Sequence, residues 1–161
     1  MYKDKKIIHI VCMDELGGIG KDNKLLFNIH EDLTYFRNKT LGNACLCGRK
    51  TFISFPKMLD RRIIRELSSA FGDNIADGLQ DCWIYSNMLN TDSIYIIGGA
   101  SIYNQTYDIA DELLITIVDA KVEADTFYKI PDGFIKVWES ETQRSASGLY
   151  FKYTKWEREE N

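Results

Sequence analysis

The chain has no apolar run long enough to cross a bilayer, which excludes a membrane-spanning helix. It has no basic excess either. The formal net charge of its 161 residues is −4, which argues against nonspecific nucleic-acid binding but leaves room for a local basic pocket. Histidine is scarce, with only His9 and His30, neither at ligand spacing, and there is no CxxC pair. The four cysteines, at 12, 45, 47 and 82, therefore read as buried reduced thiols rather than metal ligands, as suits a cytoplasmic protein. Repeats, low-complexity tracts and linkers are missing, so a single domain over residues 1–161 is expected. A hydrophobic fraction of 45% with 12% aromatics excludes a disordered chain. The N-terminal MYKDKKIIHIVCMD starts basic, but its apolar run is short and lacks a small-residue cleavage site. It reads as a first strand, not a signal peptide.

Residues 7–13 form a near-continuous apolar run, as in a strand covered on both faces. A loop follows, DELGGIGKDN, whose glycines allow positive φ and close backbone approach. Residues 29–40 read as a helix stopped by Gly42 and Asn43, 44–47 as a strand, and GRKTF at 48–52 as the start of a second helix. The stretch 61–72 fits helix and strand equally, and 82–85 reads as a strand with a turn at Ser86 or Asn87. Residues 93–97 are a strand, Gly98-Gly99 a break, 100–107 a helix and 112–118 another strand. The runs 134–142 and 149–156, joined by QRSASG, suggest an antiparallel hairpin. Strands and helices alternate first and strands dominate at the end. This predicts an α/β fold: a central, mainly parallel twisted sheet with an antiparallel C-terminal edge, flanked by helices.

Three places carry chemistry. Asp32 sits inside an otherwise apolar helical pattern, four residues before Phe36 and eight before Thr40, so the three share a helix face. Either it lines a pocket for a flat hydrogen-bonding heterocycle, or it is a first-turn acid stabilised by the helix dipole. CLCGRKTF is a strand–glycine–helix junction, and Arg49 and Lys50 at its helix start favour a bound phosphate over a solvated pair. Its spacing does not match an ATPase P-loop. SIYIIGGASIYNQ is a second such junction, an anion site or a tight packing turn. GxGxxG, GxSxG and a second catalytic acid are lacking. One carboxylate beside a nucleotide-sized cleft suggests hydride transfer.

Taken in order, these motifs resemble the dihydrofolate reductase family over nearly the whole chain. IIHIVCMDELGGIGKDNKLLFNIHEDLTYFRNKT resembles the first strand, active-site loop and acid-bearing helix. GRKTF and IIGGASIYNQ resemble the cofactor junctions, and ELLITIVDAKVEADTFY the later strand with its threonine. The resemblance implies reduction of 7,8-dihydrofolate by NADPH in a cytoplasmic monomer, without nucleic acid, membrane or metal. It implies that Asp32 pairs with the pterin, helped by Thr116, with Phe27 beside them. Ile10, Leu33, Phe36 and Ile97 would be apolar walls, and Cys12, Ile19 and Gly20 would flank the nicotinamide. Arg49, Lys50, Thr51, Gly98 and Gly99 would hold the phosphates, with Ala100, Ser101, Ile102 and Tyr103 opening the helix behind them. Ser68 and Ser69 would lie near the adenosine ribose, and the loop at 17–23 would close over the site.

The chain also departs from the family pattern. Leu26-Phe27 stands where Pro-Trp is usual, so the aromatic bulk remains without the indole N–H. Arg62 falls where an arginine should clamp the folate glutamate, with Arg61 equally eligible by one-residue slippage. Arg65 and Glu66 replace apolar residues before the serine pair, and residues 83–93 are too few for the helix expected there. Two alternatives stand beside the folate reading: a related pterin or pyrimidine reductase, and a non-catalytic derivative of the fold.

Overall fold

A computed structural model describes residues 1–55 and 60–160. The first apolar run forms β1, Lys6–Asp14, buried on both faces. A small hairpin follows, β2 at Gly18–Lys21 and β3 at Lys24–Leu25, and then helix α1 at His30–Thr40. The two glycine junctions lead from β4, Ala44–Gly48, into α2, Arg49–Ser54, and from β6, Ser93–Ile96, into α4, Ala100–Thr106. Between them lie β5, Ile63–Leu67, and α3, Ile75–Leu89. The chain ends with β7, Glu112–Val118, β8, Thr126–Phe127, β9, Phe134–Glu139, β10, Gln143–Arg144, and β11, Tyr150–Arg158.

The main sheet runs β10-β11-β7-β1-β6-β4-β5, with β9 beside β11 on the same edge as β10. Strands β5, β4, β6, β1 and β7 are parallel, and the C-terminal strands add an antiparallel edge, as the sequence pattern predicts. Cys45 and Cys47 point to one face, with Ile8, Ile10 and Tyr95, beneath Tyr35 and Phe36 of α1. Ile7, Val11, Leu46, Ile94 and Ile96 point to the other, beneath α3 and α4. All four thiols are unpaired, and burial pushes the Cys47 and Cys82 thiols up to about 12.

Two sequence expectations need correction. Residues 82–85 are not a strand and no turn occurs at Ser86 or Asn87; all lie within α3. CWIY is too short an apolar run to tell the two apart. What decides it is a cap and a face. The Asn74 side chain accepts the Asp77 N–H, and Leu79, Cys82 and Ser86 recur at helical spacing on the buried side. Gly78 lets that face approach the sheet, since a Cβ there would meet Leu46 and Leu67 methyls at 2.9 Å. The helix judged too long for residues 83–93 fits because it starts at Ile75. The ambiguous stretch 61–72 resolves into β5 and a 3-10 turn at Ser69–Phe71. Residues 56–59, which precede the Arg61–Arg62 pair by one position, lie outside the described residues.

The chain leaves β1 toward α1 on one face and leaves β6 toward α4 on the other. Neighbouring parallel strands whose connections diverge leave a crevice at their C-terminal ends, where ligands bind in open α/β sheets.

Candidate active site

A cavity of about 520 Å³ occupies that crevice. At its inner end, α1 places Asp32 over β1 and β7. Cys12 and Thr116 are register partners on those strands, and the Thr116 hydroxyl donates to Asp32 Oδ1 at 2.6 Å. Asp32 is half-buried, not a solvent-facing first-turn acid. Burial raises its pKa, and hydrogen bonds from Thr116 and Cys12 pull it partly back. The carboxyl thus holds a proton more readily than a surface aspartate. Burial also keeps the Cys12 thiol protonated. Ile10, Phe27, Leu33, Phe36 and Ile97 line the walls around this polar end, so a planar ligand would meet apolar surface except at the Asp32–Thr116 pair.

The two glycine junctions meet at the other end. The Gly48 N–H donates to Gly98 O at 2.8 Å, and Thr51 packs directly on the diglycine. A Cβ on Gly99 would lie 2.8 Å from Thr51 Oγ1, and Gly98 has φ +119°, so side chains are barred at both positions. Tyr103 is fixed behind them by its hydroxyl, which donates to Ile10 O at 2.7 Å. Lys50, Thr51, Ser69, Gly98, Gly99, Ala100, Ser101, Ile102 and Tyr103 all line the cavity, as do Ile19 and Gly20 from β2. The lining there combines a lysine, hydroxyls and open glycine backbone. That donor set suits an anionic, ribose-bearing ligand.

Three expected residues lie outside the lining. Arg49 turns to Glu66, with Nη1–Oε1 at 3.2 Å. Ser68 is buried, and its N–H donates to Asp73. Arg62 lies beyond Phe36, its guanidinium carbon 5.6 Å from that ring's centre, and it donates from Nη1 to Thr40 Oγ1 at 3.1 Å. Arg61 is exposed.

Loop anchoring escapes sequence reasoning. Asp14 is fully buried and accepts backbone N–H groups from Leu16, Gly18 and Val122 at 2.8–2.9 Å. It ties the loop after β1 to the loop after β7. Asp125 repeats the pattern farther out: its carboxylate accepts the Asp22 N–H at 3.0 Å and its own N–H donates to Gly20 O. The one advance signal was an aspartate at the end of a strand leading into glycines.

The sequence model described as Dihydrofolate reductase matches residues 6–158. The chain belongs to the dihydrofolate reductase family. A dihydrofolate reductase of Mycoplasma genitalium is 34% identical over 133 residues, 77% of this chain and 83% of the relative. Dihydrofolate reductases of Staphylococcus haemolyticus and Neisseria meningitidis are 33% and 35% identical, covering 81% and 79% of this chain and 80% and 81% of their own lengths. A dihydrofolate reductase works with a nicotinamide cofactor, and the two ends of this cavity differ in their chemistry.

Proposed function

We propose that this dihydrofolate reductase reduces 7,8-dihydrofolate to 5,6,7,8-tetrahydrofolate, with NADPH as the reductant. The observation that carries the reading is the Thr116–Asp32 hydrogen bond set among the apolar walls at one end of the cavity. One Asp32 oxygen is held by Thr116, which leaves the other to accept from the pterin's amino group and ring N–H. A charge-assisted bond of that kind contributes about 1.5–3 kcal/mol. The raised pKa of Asp32 lets the pair share a proton with the bound ring, which makes the neighbouring carbon a better hydride acceptor. When bound, the nicotinamide supplies the hydride to that carbon, while a proton adds to the adjacent ring nitrogen.

Phe27, Ile10, Leu33, Phe36 and Ile97 would hold the ring flat and exclude water from the Asp32 end. Cys12, Ile19 and Gly20 would flank the nicotinamide, and the hairpin anchored by Asp14 and Asp125 would cover it. Lys50, Thr51, Gly98, Gly99 and the start of α4 would hold the phosphates. Ser69 would lie near the adenosine ribose, and Arg49 would join the phosphate contacts only by leaving Glu66. Arg62 would bind the substrate's glutamate carboxylate.

The protein acts as a single-domain monomer in the cytoplasm on a small-molecule substrate, without nucleic acid or membrane. The four unpaired thiols support the cytoplasmic placement and the net charge the lack of a nucleic-acid partner; no described helix is long and apolar enough to cross a membrane. The test mixes protein, dihydrofolate and either NADPH or NADH. Loss of nicotinamide absorbance that depends on dihydrofolate and is faster with NADPH supports the reading. Thermal stabilisation by neither cofactor refutes it.

A further inference from the structure

Beyond Phe36 the cavity wall leads to two arginines. Phe36 stacks on Phe55 with ring centres 5.4 Å apart, and the Arg62 guanidinium lies over the Phe36 edge of this pair. The Arg62 side chain is only 3% exposed. Its Nε donates to the Asp60 carbonyl at 2.9 Å and its Nη1 to Thr40, so backbone and helix fix its plane. Its Nη2 sits 3.4 Å from Asp60 Oδ1. The other oxygen of the same carboxylate, Oδ2, accepts from Arg37 Nη2 at 3.1 Å. One aspartate, 55% exposed, therefore bridges two guanidiniums, one of them almost fully buried.

Two guanidiniums converging on one carboxylate form a receptor for carboxylates. A buried guanidinium needs such an acceptor, because desolvation otherwise disfavours its charge. Here the chain supplies the acceptor itself. We propose that Asp60 is an internal stand-in for the substrate's tail carboxylate. It occupies the Arg37–Arg62 pair in the free protein and is displaced when an acidic tail enters along Phe36. The inference rests on the folate reading above and adds a specificity determinant to it. Asp60 weakens binding of substrates that end in a carboxylate and leaves tail-less pterins untouched. The Asp60 side chain is more than half exposed and solvent screens its pairing, so displacement is easy and the effect is a matter of a few-fold.

The test compares KM for dihydrofolate with KM for 6-methyl-7,8-dihydropterin, which lacks the aminobenzoylglutamate tail. The unmodified protein, Asp60→Asn and Asp60→Ser are measured with NADPH. Both variants remove the charge at an exposed position, and Asn keeps the size. The dihydrofolate KM should fall about threefold or more in both, so that the ratio of dihydropterin KM to dihydrofolate KM rises by the same factor. An unchanged ratio overturns the proposal. So does a rise in the dihydrofolate KM, which would make Asp60 a prop for Arg62 rather than a competitor. If the unmodified protein turns over neither substrate, the folate reading fails, and this inference fails with it.

Discussion

Thr116 and Asp32 stand 84 positions apart in the chain, and the threonine hydroxyl donates to the carboxylate at 2.6 Å. The bond binds α1 to β7 across the floor of the cleft. It also opposes the effect of burial on the acid, since it stabilises the ionised form. Thr116→Val keeps the shape and removes the donor. The Asp32 pKa should then rise further, moving the basic limb of the kcat profile, where the shared proton is lost, to higher pH. A kcat/KM for dihydrofolate about tenfold lower is expected. A pH–rate profile that does not move would separate Thr116 from the acid.

The diglycine is a packing requirement in its own right. Gly99→Ala drives a methyl to within 2.8 Å of Thr51 Oγ1. About 1–3 kcal/mol of stability should be lost, with a rise in KM for NADPH. Thr51→Ala in the same chain should restore part of the stability by removing the obstructing atom. Denaturant melts of the two single variants and the double variant measure the coupling.

Asp14 holds three backbone N–H groups with two carboxylate oxygens. Asp14→Asn turns one acceptor into a donor facing another donor. A loss of about 2–3 kcal/mol is expected by denaturant titration, together with a lower kcat/KM from the slackened hairpin. An Asn variant as stable as the parent would show that water can take over those N–H groups.

His9 is fully buried in the core behind β1, between Thr106 Oγ1 at 2.7 Å and the Tyr128 hydroxyl at 3.1 Å. Burial, aided by the Arg158 charge, lowers its pKa to about 3. Its folded pKa lies below the unfolded one, so the neutral ring's stability is complete above the ordinary histidine range. It is lost as pH falls from there toward about 3. The loss reaches roughly 5 kcal/mol at the acid end. His9→Gln should flatten that part of the stability–pH curve, although the variant is less stable at neutral pH.

How legible each feature was depends on whether its cause is local. The 3.6-residue period placed Asp32, Phe36 and Thr40 on one face, and the structure sets Asp32 and Phe36 on the cavity wall, with Thr40 behind them holding Arg62. Both glycine junctions were visible because the missing side chains are local events. That they lock together through Gly48 and Gly98 was not visible, since no local pattern records a contact 50 residues away. Helix α3 was missed because its identity rests on the Asn74 cap and on a buried face that meets β4 and β5. Asp14, Asp60 and Asp125 were unremarked for a similar reason. An aspartate that serves backbone amides or arginines looks, in sequence, like any surface acid.

The most direct test of the account is Asp32→Asn, which is nearly isosteric and still accepts from Thr116. Turnover of dihydrofolate with NADPH should fall at least about 100-fold, while the melting temperature and NADPH binding stay close to those of the parent. An Asp32→Asn variant that turns over dihydrofolate at the parent rate would contradict the assignment of this carboxylate, and with it the mechanism built on the cleft.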